Sequence, residues 1–414
     1  MHDVIVVGAR VAGAATGMLL ARKGLDVLVV DRATFPSDTL STHQVQVPGV
    51  ARLRRWGLLD RVFAAGTPAT RRVRFDPGSA VLEGRVPEVD GADALYSPRR
   101  TLLDALLVEA ARQAGAEVRE RFTVDEVLAE DGRVVGIRGG ERGSGRPPVT
   151  ERARLVVGAD GRHSLVAKAV NASAYRETAS LTCAYYTYWS GVPLEGGEMY
   201  GRPRRVVGAW PTNDGLVMTY VAAPAAEFKA FKTDVEGYLL ATLDEAGDLG
   251  ERVRAGERAE RIAGSGDLPS RFRTPYGLGW ALVGDAGLVI DPITGQGIGH
   301  AFRDAELLAD AVASGLDGGP PLETTLADYA RRRDEDASGM YDFTCDLASF
   351  PQRPEGEVLF RALAGAPEQT DRFFAVLAGV LPPGEFFGPR NIARILGARG
   401  MARAIRTKVR AGRG

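Results

Sequence analysis

Asp3-Val-Ile-Val-Val7, Gly8-Ala-Arg-Val-Ala-Gly13 and Leu25-Asp-Val-Leu-Val-Val30, closed by Asp31, decide the fold. The first run is short and β-branched and reads as a buried strand. The glycine turn opens a helical stretch that ends near Lys23-Gly24, where Gly24 suits a helix C-cap. A second apolar strand then runs to Asp31. Strand, turn, helix and strand make a βαβ unit. Its acid falls 23 positions after Gly8, close to the ~20 expected of a carboxylate that holds a ribose. Gly8 permits the tight turn and Gly13 lets helix and strand approach closely. The free N–H groups at the helix start, at Arg10, Val11 and Ala12, are offered to a pyrophosphate. One position departs from G-x-G-x-x-G: the second glycine is Arg10. A dinucleotide must tolerate that side chain, which can swing outward and add a phosphate contact. The pattern by itself does not separate NAD from FAD.

Two later stretches repeat the theme. Leu155-Val-Val-Gly-Ala-Asp-Gly161 is an apolar strand running into an Asp-Gly turn, followed by Arg162, His163 and Ser164. Trp280-Ala-Leu-Val-Gly-Asp-Ala286 is another, continued by Asp291-Pro-Ile-Thr-Gly-Gln-Gly-Ile-Gly299 and a helical stretch from Phe302 to Ala313. A strand ending in Gly284-Asp285, then a Gly-rich turn onto a helix, is a second site for a polyol and an anion. The Asp285 carboxylate accepts hydrogen bonds from sugar hydroxyls, and the turn N–H groups stabilise negative charge.

Composition bounds the rest. The 414 residues are 45% hydrophobic and 25% charged, with net charge −1. That describes an ordinary globular chain of two or three units, with no global field for nucleic acid. Cys183 and Cys345 stand far apart and in no CxxC pair, so a disulfide scaffold and a cysteine zinc site are not expected, and no metal is assigned. No apolar run reaches the ~18 residues of a membrane span. The chain opens directly into a strand, without a signal-like segment, and a reducing cytoplasm is the expected location.

Gly8 and Gly13 with Asp31, Arg100 with Leu103, Gly158-Ala-Asp-Gly161 with Ser164, and Gly284-Asp285 with Pro292 and Gly295-Gln-Gly297 come in a telling order. The set resembles the flavin-dependent monooxygenases of the para-hydroxybenzoate hydroxylase fold, and their relatives the geranylgeranyl reductases and flavin-dependent halogenases. The resemblance implies an α/β chain: a Rossmann-like FAD-binding domain (residues 1–71, 97–178 and 268–330), an inserted antiparallel β-sheet substrate domain (72–96 and 179–267) and a C-terminal helical region (331–414). It implies FAD as cofactor and NAD(P)H as transient electron donor. The pyrophosphate would lie on Gly8, Arg10, Val11, Ala12 and Gly13, and the adenosine ribose on Asp31, beside Arg32. Arg100 would reach the phosphates, and Val124 would offer backbone to adenine. Asp160 sits in a motif tied to FAD and to the nicotinamide nucleotide. Gly284 and Asp285 would hold the ribityl chain; Pro292, Gly295, Gln296, Gly297, Ile298 and Gly299 would face the flavin's pyrimidine edge. The family's histidine two residues after the Gly-Asp pair is Gly287 here.

Three of the four histidines lie in or beside these loops. His43, in Asp38-Thr-Leu-Ser-Thr-His43, is the candidate proton relay near the flavin ring; the other reading is a hydrogen-bonded structural residue or an FAD-pyrophosphate contact. His163 and His300 read as structural. From Leu181 to Trp189, Arg205 to Trp210 and Leu216 to Val221 the chain reads as strands, with Asn213-Asp214-Gly215 as a hairpin signal. Alternation puts Tyr186 and Tyr188 on one face and Tyr185 and Trp189 on the other. Tyr186, Tyr188, Tyr200 and Trp210 are the candidate wall of a substrate pocket, with Met218 and Tyr220; packing in the sheet's core is the alternative for each. Glu141 to Pro148 reads as a loop.

Beyond Leu322 the chain reads as helical. Arg390 to Gly414 carries eight basic residues and no acid, with Ile392, Ile395, Leu396, Ile405 and Val409 as a loose apolar stripe. It reads either as a solvated terminal helix or as a membrane-surface helix. The expected function is NAD(P)H-dependent monooxygenation of an aromatic or polyketide-like small molecule, with molecular oxygen as co-substrate. The alternatives are reduction of an apolar C=C bond and a flavin-binding scaffold. A halogenase is not expected. That branch needs a lysine between flavin and substrate, and none of Lys23, Lys168, Lys229, Lys232 and Lys408 falls between residues 24 and 167.

Overall fold

The computed structural model describes residues 1–143 and 145–411, with side chains to Val409 in the last helix. Ser144 of the expected loop and Gly412–Gly414 of the tail lie outside the described residues.

His2–Val7 is the central strand. It pairs in parallel with Val27–Val30 on one side and Val149–Gly158 on the other. Trp280–Leu282 and Glu117–Arg119 extend the parallel sheet outward. These strands are apolar at consecutive positions because both faces are covered. Val4, Val6, Val29 and Val157 face a layer of helices, Val11–Arg22, Arg100–Gln113 and Gly297–Leu316. Ile5, Leu28, Val30 and Val156 face the other way. There the antiparallel strands Phe122–Glu130 and Arg133–Glu141 supply Phe122, Val124 and Ile137.

The second large sheet contains Thr182–Ser190, Val217–Pro224, Arg205–Pro211, Gly197–Arg202, Arg72–Asp76 and Leu82–Arg85 in that spatial order. Neighbours are antiparallel except one pair: Arg72–Asp76 runs parallel to Gly197–Arg202. No hairpin joins those two strands; Arg72–Asp76 arrives from a separate stretch of chain. One face packs on helices Val235–Asp244 and Leu249–Ala255 through Tyr185, Trp189, Val207 and Val221. The other carries Tyr186, Tyr188, Trp210, Met218 and Tyr220.

Five helices follow, from Leu322–Ala348 to Pro389–Ala411. The first pins itself to the strands Ala174–Thr178 and Ser270–Arg273 with Arg333. That guanidinium is fully buried and donates to the Arg273 carbonyl, to Asp334 and to the Tyr175 hydroxyl. It also occupies the space over Gly287, where an added Cβ would stand 3.1 Å from its Nη1. The missing side chain after Gly284-Asp285 thus makes room for a tether from the C-terminal helices. Among the described residues no helix is long and apolar enough to cross a membrane.

Gly13 is fixed by close approach. A Cβ there would lie 1.8 Å from the Gly8 carbonyl oxygen, so helix and turn would have to part. Gly13→Ala should therefore destabilise the flavin-free protein by ~1–3 kcal/mol, the usual cost of overpacking. Urea unfolding checks this, and an unchanged midpoint would show that the turn does not close against the helix.

Candidate dinucleotide site and adjoining cavity

A cavity of ~710 Å³ opens where the parallel strands end. Two helix starts converge on it. Gly8, Arg10, Val11 and Ala12 line it from the first turn, and Pro292, Gly297 and Ile298 from the second. Neither helix has a side-chain cap, so the first-turn N–H groups of both are free to meet an anion. Gly8 takes φ +105, and Gly284 takes φ +59 with its Cβ position 2.6 Å from the Ala12 Cβ. A side chain at Gly284 would push the two turns apart.

The two predicted carboxylates lie on this cavity. Asp31 accepts from Ala9 N–H at 2.7 Å and Ala33 N–H at 2.8 Å, one bond to each oxygen, which leaves lone pairs on both for ribose hydroxyls. Asp285 is exposed to the cavity yet walled by protein. Burial pushes its pKa up, and the Arg100 and Arg162 charges pull it back. Arg32 and Val124 also line the cavity.

Arg10 does not swing outward. It donates to Asp104 at 2.7 Å and to Ser37 and Asp38. Asp104, fully buried, also holds Arg100 through three contacts of 2.9–3.1 Å. One carboxylate thus aims two guanidiniums at the wall beside the first helix start, and both line the cavity. Sequence reasoning assigned Arg10 and Arg100 separately and missed Asp104. The i, i+4 spacing of Arg100 and Asp104 was the available signal.

Several expected residues are placed elsewhere. Asp160 lies at the cavity, but its carboxylate accepts from Ser164 Oγ and from Leu165 and Val166 N–H, so it caps the short helix Leu165–Ala169. Gly13 sits behind the first turn and Gly284 between the two turns. Gly295, Gln296 and Gly299 do not line the cavity. Gln296 turns away to donate to the Leu377 carbonyl, and Gly295 abuts Gln44. His163 lines the cavity and pairs with Asp267 at 3.0 Å. His300 is not in the lining.

His43 is corrected most sharply. It is completely buried, with φ +62, and both ring nitrogens are engaged: Nδ1 with the Ser41 carbonyl and Nε2 with the Tyr188 hydroxyl, each at 2.7 Å. Burial, reinforced by the Arg100 and Arg99 charges, pushes its pKa down to about 3. Its Nδ1 donates to the Ser41 carbonyl and its Nε2 accepts from the Tyr188 hydroxyl, and it lies behind the cavity lining. The pair instead anchors Thr39, Leu40, Ser41 and Thr42, which do line the cavity.

Tyr186 lines the cavity; Tyr188 and Trp210 lie on the same sheet face but behind the lining. Tyr200 is on the opposite face, packed with Tyr185 and Trp189 and bonded to Glu198. Tyr220, expected beside that wall, lies on the cavity. It is 3% exposed, and its hydroxyl has no hydrogen-bond partner. Asp291 is close enough for its charge to raise Tyr220's pKa further, after burial itself. Among the described residues no lysine lines the cavity and no His/Cys/Asp/Glu group suits a metal.

A family model described as FAD binding domain matches residues 1–223, more than half of the chain. The chain belongs to that FAD-binding family. It is a flavoprotein-family oxidoreductase, and the free N–H groups, carboxylates and bare turns above fit FAD. A digeranylgeranylglycerophospholipid reductase from Methanocella arvoryzae is 26% identical over 335 residues, covering 79% of this chain and 81% of the relative. The flavin-dependent brominase Bmp2 superposes with TM-score 0.78 at 20% identity, covering 99% of each chain. PqsL, a probable FAD-dependent monooxygenase from Pseudomonas aeruginosa, superposes with TM-score 0.70 at 23% identity, covering 91% of this chain and 99% of its own.

Asp285→Ala removes a charged acceptor from the cavity, an interaction of ~1.5–3 kcal/mol, so FAD affinity should fall about 10- to 150-fold. Fluorescence titration of the flavin-free protein measures it, and unchanged affinity would move the ribityl chain elsewhere. Asp291 gives a pH test. Burial, outweighing its bonds from Thr182 and Ile293, pushes its pKa from 3.8 up to about 6. The folded state therefore holds a proton that the unfolded state releases between those values. Stability falls as pH rises through that window, by ~3 kcal/mol. Asp291→Asn should lack this component, read as the difference between the two proteins' unfolding free energies across the window.

Proposed function

We propose that the protein is an NAD(P)H-dependent monooxygenase that acts in the cytoplasm on a small aromatic or polyketide-like molecule. The observation that carries the reading is the substrate end of the cavity. Part of its lining is Tyr186, Tyr220, Ala184, Leu268, Pro269 and Ile290. That apolar and aromatic lining, with the Tyr220 hydroxyl unpartnered, suits a compact ring system with one polar group. PqsL, which shares the fold, has been solved with the aromatic ligand 2-aminobenzoylacetate. Free, unpaired Cys183 and Cys345 suit a reducing compartment.

Bound flavin supplies the redox chemistry: NAD(P)H, a proton, O2 and substrate become NAD(P)⁺, water and oxygenated product. The chain's own residues do the positioning. Arg10 and Arg100, held by Asp104, and the two helix starts bind the phosphates and the electron-rich ring edge. The segment Thr39–Thr42, anchored through His43 and Tyr188, and the aromatic sheet face exclude water from the reacting end. The Tyr220 O–H, kept protonated by burial beside Asp291, is free to bond a carbonyl or phenol of the substrate. No cavity lysine is present to carry a halogenating agent, which argues against a Bmp2-like activity.

The second reading is C=C reduction, favoured by the 26% identity to the Methanocella reductase. Incubation with NADH or NADPH under ¹⁸O2 and a panel of phenols and polyketides separates the two. One ¹⁸O per product supports oxygen insertion, and an unlabelled reduced product made without oxygen overturns it. Tyr220→Phe should leave folding intact, since the hydroxyl has no protein partner, and lower kcat/KM about tenfold, the value of one neutral hydrogen bond.

A further inference from the structure

The end of the chain carries a surface that the flavin chemistry does not use. Gly397, at φ +60, breaks the helix Pro389–Ala411 into two segments. In the second segment Ala398, Ala402, Ile405 and Val409 are all exposed, Ile405 by 58% and Val409 by 47%. Their spacing of four, three and four puts them in one stripe along the helix. Arg399, Arg403 and Arg406, also exposed, form the stripe beside it. Met401, Ala404 and Thr407 are half-buried on the remaining side, and the helix as a whole packs against Gly356–Ala364.

Charge says what this surface meets. The chain has 52 basic and 53 acidic residues, but its last 25 hold eight basic residues and no acid, so everything before them has an excess of nine acids. Most arginines elsewhere are tied to carboxylates, as in Arg52–Glu306 and Arg202–Asp76, and those among the described residues without an ion pair, such as Arg22, Arg61 and Arg332, are scattered along the chain. Among the described residues, Arg390, Arg394, Arg399, Arg403, Arg406 and Lys408 have no ion-pair partner. At the start of the same helix a depression of ~510 Å³ is walled by Arg372, Arg390 and Arg394, with Glu385 alongside. An apolar stripe next to unpaired cations is the arrangement of a helix that lies in the plane of an anionic lipid surface.

We propose that residues 398–411 dock the protein on anionic membrane lipid, with Ala398, Ala402, Ile405 and Val409 toward the acyl boundary and the arginines toward the headgroups. The apolar stripe is shallow, so charge supplies most of the attraction, at about fivefold in partitioning for each basic residue near the surface. Docking is peripheral and reversible, independent of the reaction assigned to the cavity, and weakened by salt.

The FAD-loaded full-length protein is sedimented with vesicles of phosphatidylcholine alone or mixed with phosphatidylglycerol. The proposal expects binding to the mixed vesicles, little to the neutral ones, and release by high salt. Arg399→Gln, Arg403→Gln and Arg406→Gln together should weaken partitioning about a hundredfold, and Ile405→Gln with Val409→Gln about tenfold. All five positions are exposed, so bound FAD and thermal midpoint should stay unchanged. Equal binding to both vesicle types, no binding to either, or full binding by the arginine variant overturns the proposal. So does light scattering in which removing residues 398–414 converts a dimer to a monomer while vesicles bind neither form, which would make the stripe a contact between copies.

Discussion

The structure depends on two helix starts being brought to one point. Val11–Arg22 and Gly297–Leu316 are far apart in the chain, yet both leave free N–H groups on the same cavity. Their positive ends would repel without an anion between them, so the geometry is paid for by the cofactor that fills it. The approach is possible because Gly8, Gly13 and Gly284 lack side chains where turn meets helix and turn meets turn. The parallel sheet, buried on both faces, holds the two turns at its C-terminal edge, where ligands of open α/β sheets bind.

Around that point the charges are arranged by one buried carboxylate. Asp104 binds two guanidiniums, leaving the cluster with one net positive charge, and is itself out of contact with solvent. A lone buried carboxylate would be costly, and a lone Arg10 in place of the motif's second glycine would wander. Paired through Asp104, Arg10 becomes a fixed part of the cavity wall, and the departure from G-x-G-x-x-G becomes intelligible. The same logic makes His43 structural: surrounded by Arg99 and Arg100 and denied water, it stays neutral and serves as the acceptor that holds Tyr188.

The parallel sheet, its helices and the residues on the turns were legible in sequence because each is local. Strand, glycine, helix and acid follow one another within about thirty residues. Asp31 and Asp285 were found this way, Arg100 and Val124 through the family resemblance, and all four line the cavity. The failures were long-range. Nothing near Gln296 announces that it bonds to Leu377, 81 positions on. Nothing near Arg10 announces Asp104. His43 was a candidate proton relay because its polar segment approaches the flavin ring in the resembling fold, and its partner Tyr188 is 145 residues away.

The aromatic sheet shows how far periodicity carries an argument. Alternation within one strand correctly separated Tyr186 from Tyr185. Across strands it needs the register, which sequence does not print. Tyr186 pairs with Tyr220, and Tyr220 with Gly208, which pairs with Met199. That row faces the cavity side. Tyr200 pairs with Val207, and Val207 with Val221, which pairs with Tyr185, so Tyr200 belongs to the row facing the helices. One position of offset moved it to the other face. The same register explains Gly208. It stands in Tyr220's row, and the Trp210 ring lies 2.4 Å from where its Cβ would be. A side chain there would displace Trp210 or crowd Tyr220. The bare backbone at Gly208 leaves room for the indole, and of the two cavity-lining tyrosines in that row Tyr186 bonds to the Thr39 carbonyl while the Tyr220 hydroxyl is left unpartnered.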